Sequence, residues 1–212
     1  MSEDLIARLS ADVQPVPRLA VPRRMAIGVA AGVAASTLLV ATTLGFRPDM
    51  AQAAAGGMFW VKLFYALALG GLAFWTCDRL ARPAGRARRR AQWIAAPVLA
   101  VAGLAAWQLA SSPAAFRMPM LMGHSAQVCP WLIFGFSLPP LVGLVWAVRG
   151  LAPTRLRLAG TMLGLAAGGA GAAVYALHCD ESGAPFLAVW YTLGVMGSGL
   201  LGTLAGPRLL RW

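Results

Sequence analysis

The sequence predicts an all-α membrane protein of six transmembrane helices, N-in and C-in, led by a short amphipathic cytoplasmic N-terminal helix. Three observations predict it. Of 212 residues, 59% are hydrophobic and 12% charged, with mean hydropathy +0.68, a larger apolar share than a soluble core of this size requires. The apolar residues gather into six runs, each about as long as the roughly 20 residues that carry a helix across a bilayer. And the basic residues fall almost entirely on one side of that pattern.

The six runs are 25–44, 57–76, 93–110, 130–148, 158–177 and 186–206. Helices are the form they take, because alternating barrel strands of about ten residues are absent. Arg8, Arg18, Arg23 and Arg24 precede the first run, and Arg79, Arg82, Arg86, Arg88, Arg89 and Arg90 fill the second loop. Arg149, Arg155 and Arg157 occupy the fourth loop, and Arg208 and Arg211 the tail. Only Arg47 and Arg117 lie in odd-numbered loops, with Lys62 inside the second run. The positive-inside rule therefore assigns both termini to the cytoplasm. The chain divides into a cytoplasmic segment 1–24, a six-helix domain 25–207 and a short tail 208–212.

The net charge of +11 lies beside the apolar runs, where arginines fix topology and meet anionic lipid. It calls for the bilayer as a partner and for no direct nucleic acid. Tryptophans mark both boundaries, as interfacial indoles do. Trp60, Trp107, Trp131 and Trp190 fall near outer ends; Trp75, Trp93, Trp146 and Trp212 fall near inner ends. Ala51-Gln52-Ala53 resembles a cleavage site behind Arg23-Arg24. The long polar lead and five following runs favour an uncleaved first span.

Small residues recur at four-residue spacing, which lets helix backbones approach closely. Gly28 and Gly32 do so in the first run, Gly160, Gly164 and Gly168 in the fifth, and Ser198, Gly202 and Gly206 in the sixth. Packing within the chain is the first expectation; a homodimer seam is the second. Pro97, Pro139 and Pro140 are expected to kink the third and fourth spans. Lys62 is the only charged residue well inside a run. At about one turn from the outer end it is expected to snorkel. No Asp, Glu or His lies near a bilayer midplane and no Walker sequence is present. A small permease would need such groups, and a membrane thiol-disulfide oxidoreductase would need a second dithiol or a quinone site. These two remain the alternative classes. Nothing in the chain calls for a cofactor or a catalytic residue.

Cys129 opens the fourth run and Cys179 closes the fifth. Counted from Pro153 in the short loop between them, the two lie 24 residues back and 26 forward. At 1.5 Å per residue both rise roughly 36 to 39 Å, to one depth on the outer side. Cys77 lies a membrane thickness away and is read as packing. His178 adjoins Cys179, and His124 with Met118, Met120 and Met122 falls in the loop before Cys129. Thiolate, imidazole and thioether favour soft metals. A structural disulfide, a redox- or metal-responsive pair, and two unrelated packing cysteines all fit this spacing. A metal set would draw on Cys129, Cys179, His178 and His124, with heavy metal held only transiently.

Residues 2–13 read as a short helix. Ser2 can cap it, Glu3 and Asp4 sit in its first turn, and Leu5, Ile6, Leu9 and Val13 share one face. Gln14-Pro15-Val16-Pro17 then stops it and begins an extended spacer. Its polar face carries three acids to one arginine, a poor match to anionic lipid. Docking into a partner's groove suits it better.

Five stretches stand out in order along the chain: Glu3-Asp4-Leu5-Ile6, Leu44-Gly45-Phe46-Arg47-Pro48-Asp49, Ala152-Pro153-Thr154-Arg155, Tyr175-Ala176-Leu177-His178-Cys179 and Leu209-Leu210-Arg211-Trp212. Together they resemble the NrsF family of six-span anti-sigma factors. The resemblance runs from end to end and is weakest between Ser111 and Val128. It implies a bacterial inner-membrane protein that holds an extracytoplasmic-function sigma factor through its cytoplasmic N-terminus. It also implies release of that factor when periplasm-facing cysteines sense redox or heavy-metal stress, with Cys129 and Cys179 as the sensing pair. Asp4, Leu5, Ile6, Leu9 and Val13 would then contact the sigma factor.

Overall fold

The computed structural model describes residues 4, 6, 7, 11, 17, 19–82, 87–151 and 153–211. All regular structure among them is helical. The elements are α1 (Ala20–Thr43), α2 (Met50–Ala55), α3 (Gly57–Leu80), α4 (Arg88–Gln92), α5 (Ala95–Ser111), α6 (Ala114–Met122), α7 (Cys129–Val148), α8 (Leu156–Tyr175) and α9 (Ala184–Leu209). Among the described residues, six helical segments are long and apolar enough to span a membrane: α1, α3, α4 with α5 (89–111), α7, α8 and α9.

α8 is the centre. It packs along α9, α3, α7 and, more lightly, α1, while α1 also lies along α7. Of the residues in its apolar window 89% are buried, against 11% in the third span, which stands at the rim against α3 and the start of α9. The outward faces carry exposed apolar side chains such as Leu38, Leu67, Leu99, Val142 and Leu204, as lipid-facing surfaces do.

The glycine spacing produces seams within the chain. A methyl on Gly28 would strike the Gly143 carbonyl of α7, and one on Gly32 the backbone of Pro140. Gly160 and Gly202 face each other between α8 and α9, and Gly164 faces Ser198. A third seam joins α3 to α8, where Gly169 lies against Ala66 and Gly70. The buried residues of α1 (Met25, Gly28, Gly32, Ser36 and Val40) form one stripe at that spacing.

The prolines act locally. Pro97 is the third residue of α5, and the chain breaks into a turn at Trp93-Ile94 just before it. α7 continues through Pro139 and Pro140. Pro140 has no N–H for the Phe136 carbonyl four residues back, and the Ser36 hydroxyl donates to that oxygen instead, at 2.7 Å. Other hydroxyl pairs bind helices together: Ser137 with Ser198 at 2.7 Å, Thr161 with Thr203 at 2.7 Å, and Tyr65 with Thr192 at 2.6 Å.

At the arginine-rich end, Arg24 donates to the Trp146 carbonyl and lies over its indole, and Arg90 treats Trp75 the same way. Trp60, Trp75, Trp93, Trp107, Trp131 and Trp146 are exposed, as the two belts require. Trp190 is partly buried and donates to the Leu121 carbonyl. Trp212 lies outside the described residues. So do Leu5, Leu9 and Val13 of the expected N-terminal helix. Asp4, Ile6, Ala7 and Ala11 are helical, and Asp4 and Ile6 are exposed.

Candidate functional site: a buried dithiol beside a lysine

The end of the bundle opposite Arg24 and Arg90 holds a concentration of polar chemistry. Cys129 is the first residue of α7, and Cys179 ends the turn that follows α8. Both are buried free thiols within electrostatic reach of each other, as equal helix rises anticipate. Cys77 is a third buried free thiol, in the last turn of α3.

Lys62 does not snorkel. It is only 2% exposed, and its Nζ donates to the Cys179 carbonyl at 2.8 Å and lies 3.6 Å from Cys179 Sγ. Its ammonium also sits 5.7 Å from the centre of the Tyr191 ring. The cause is helix face. Lys62, Ala66, Leu69, Gly70 and Ala73 are all buried, and their spacing puts them on one side of α3, the side that meets α8 through Gly70 and Gly169. The small residues following Lys62 at helical spacing were the signal that it points inward.

Tyr191 closes a π-helical turn, Leu187–Tyr191, inside α9. Its ring meets Tyr175 and Phe186. Its buried hydroxyl lies close to the Cys179 thiol yet makes no hydrogen bond of ordinary geometry. Tyr175 in turn contacts Cys129, Phe136 and His178.

The loops above are tied down. Gly45, with φ +76°, ends α1, and its N–H reaches back to the Val40 carbonyl, the left-handed closure that glycine makes readily. Its own carbonyl meets His178 Nδ1 at 2.9 Å. Arg47 donates through Nε and Nη2 to the two oxygens of Asp49 at 2.8 and 2.7 Å. Its Nη1 also reaches the Cys179 carbonyl at 3.3 Å. The hydrogen bond from Arg47 holds the Asp49 carboxyl below its ordinary 3.8. From the other side, Glu181 Oε1 accepts from the His124 and Ser125 backbone N–H groups and the Ser125 hydroxyl. The His124 ring bridges Glu181 and Asp180 at 3.0 and 3.1 Å.

The candidate metal donors therefore divide. Cys129 and Cys179 lie within electrostatic reach of each other, while His178 is engaged by Gly45 and His124 by Asp180 and Glu181. Among the described residues, no group of three His, Cys, Asp or Glu side chains is arranged to hold a metal ion. What the arrangement can do chemically is thiol chemistry, with a lysine against one sulfur. Lys62 and Glu181 were not among the sequence-derived site residues.

Fold and site together describe a small helical membrane protein with a buried dithiol near one face and arginines at the other. The chain belongs to the NrsF family, described as negative regulator of sigma F, whose model matches residues 9–212. It is 44% identical to the anti-sigma-F factor NrsF of Caulobacter vibrioides, over 100% of this chain and 99% of that one. It is 36% identical to the probable anti-sigma-F factor NrsF of Azospira oryzae, over the same shares. The family description is that of a regulator. No solved structure matches the chain.

Proposed function

We propose that this chain holds an extracytoplasmic-function sigma factor at the bacterial inner membrane and releases it when the Cys129–Cys179 pair is oxidised. The observation that carries the first half is membership in a family of negative regulators of sigma F. Binding through the N-terminal segment is supported by the exposed Asp4 and Ile6 on helical residues and by the amphipathic pattern that adds Leu5, Leu9 and Val13. The arginine bias supports cytoplasmic termini and a periplasmic dithiol. Engagement of both histidines elsewhere favours thiol oxidation over metal capture. α8 spans from the dithiol to the seam around Gly160, so a change at Cys179 bears on packing at the arginine-rich end. A coupling of about 1–3 kcal/mol would change sigma occupancy roughly 5- to 150-fold.

The test is co-expression with an extracytoplasmic-function sigma factor from the same organism, followed by membrane fractionation. Sigma is expected in the membrane fraction, and deleting residues 2–13 is expected to free it. A Cys129→Ser, Cys179→Ser protein is expected to hold sigma and to keep holding it under a thiol oxidant. Soluble sigma with the intact chain refutes sequestration; release from the double variant refutes the sensing pair.

A further inference from the structure

Two thiols share this end of the bundle, but their surroundings differ. We propose that Lys62 selects Cys179 as the reacting sulfur of the pair and leaves Cys129 as the resolving thiol. This rests on the reading of the pair as a sensor.

A buried ammonium is costly. An ionised amine taken out of water needs an anionic partner or it gives up its proton. Asp49 interacts with Lys62 only at long range, and both its carboxylate oxygens are engaged by Arg47. Arg47 itself is a second cation facing Lys62. Tyr191 offers a ring face and Cys129 lies beyond hydrogen-bond contact. Among the described residues, Cys179 Sγ, at 3.6 Å, is the one group in direct contact that can carry negative charge. The Lys62 amine is therefore placed where a thiolate on Cys179 would be its direct counter-charge. Each thiol has a tyrosine beside it, Tyr175 at Cys129 and Tyr191 at Cys179, but only Cys179 has Lys62 in contact. The thiolate is the nucleophilic form of cysteine, so the asymmetry assigns first attack to Cys179.

The chemistry balances with a two-electron oxidant, a hydroperoxide or a small disulfide. The Cys179 thiolate attacks its electrophilic oxygen or sulfur, and an alkoxide, hydroxide or thiolate departs. Cys129 then attacks the Cys179 sulfur, the S–S bond forms, and water or the second thiol leaves with the remaining proton. Two electrons pass from the two sulfurs to the oxidant. Lys62 is left without an anionic partner, and the contact joining α3 to the turn after α8 is weakened at its charged end. Lys62 is a positioning residue in this scheme; it forms no bond to the oxidant.

The experiment uses the full-length chain in detergent with no sigma factor present, so its outcome is independent of sigma release. Two single-thiol proteins are compared: Cys77→Ser with Cys129→Ser, which keeps Cys179, and Cys77→Ser with Cys179→Ser, which keeps Cys129. Alkylation by iodoacetamide at neutral pH is followed by mass spectrometry. Cys179 is expected to react faster than Cys129. Lys62→Met is expected to slow Cys179 about tenfold, equivalent to roughly 1.4 kcal/mol of ion pairing, and to leave the Cys129 rate nearly unchanged. Lys62→Arg, which keeps the charge should the methionine variant fold poorly, is expected to restore most of the Cys179 rate. A Cys129 that outpaces or matches Cys179, an equal slowing of both thiols by Lys62→Met, or an arginine variant as slow as the methionine one overturns the assignment.

Discussion

Gly169→Ala tests the seam that aims Lys62. A Cβ at this position would lie 2.5 Å from Gly70 N, 2.6 Å from the Ala66 carbonyl oxygen and 2.6 Å from Gly70 Cα. All three are backbone atoms, so no rotamer change relieves them. Ordinary contact begins near 3.4 Å, so α3 and α8 must part locally by roughly 0.8 Å, a displacement of the kind that costs about 1–3 kcal/mol in packed interiors. That lowers the folded-to-unfolded ratio by a factor of roughly 5 to 150. Gly71 supplies the control. It neighbours Gly70 on α3, is exposed, and has nothing within 4 Å of the place a methyl would occupy. Gly71→Ala should therefore be neutral or stabilise by up to about 1 kcal/mol through helix propensity. The assay is reversible unfolding of the detergent-purified chain by dodecyl sulfate, followed by tryptophan fluorescence. Equal midpoints for the two variants would refute the idea that backbone contact at Gly169 sets the spacing of α3 and α8.

Two further perturbations follow from single contacts. Ser36→Ala removes the donor to the Phe136 carbonyl and is expected to cost about 0.6–1.7 kcal/mol, the range found for hydrogen bonds between membrane helices; adding Pro140→Ala returns an N–H to that carbonyl, so a double-mutant cycle in the same unfolding assay should show the loss shrinking. The Arg47–Asp49 pair gives an acid-range signature: because the folded carboxyl titrates below its ordinary 3.8, the pair's stabilisation is complete above that value and disappears as pH falls through the lowered one. Asp49→Asn should flatten that part of the melting temperature profile, and an unchanged acid slope would show that the pair contributes nothing there.

The spans and seams were legible because their signals are local. Hydropathy over a window and glycine at four-residue spacing describe single helices, and Gly28, Gly160 and Gly202 are each used as that spacing anticipates. The common depth of Cys129 and Cys179 was also legible, since equal helix lengths from one loop determine it. Lys62 was not. Snorkelling is the default for an isolated helix, and the partner that overrides it is 117 residues away in sequence. Finding it needs the register of α3 on α8, for which Ala66, Gly70 and Ala73 were the available clue. Glu181 was hidden for a similar reason. An Asp-Glu pair in a short loop gives no hint that its second member will receive three hydrogen bonds from His124 and Ser125. The π-helical turn before Thr192 adds one residue to a helix whose composition is ordinary there, and no pattern announces it.

α8 shows how two selections can act in opposition on one segment. Insertion into a membrane rewards large apolar side chains, and by that measure replacing Gly160, Gly164, Gly168 or Gly169 with leucine would make a better transmembrane segment. Assembly penalises the same exchange, because each of those glycines has a neighbouring helix where its side chain would be. The fifth span is therefore held to small side chains along these seams, and it is less apolar than the first and third spans. Drift toward greasier sequence, harmless on the lipid-facing third span, would be purged here even though each step eases entry into the bilayer.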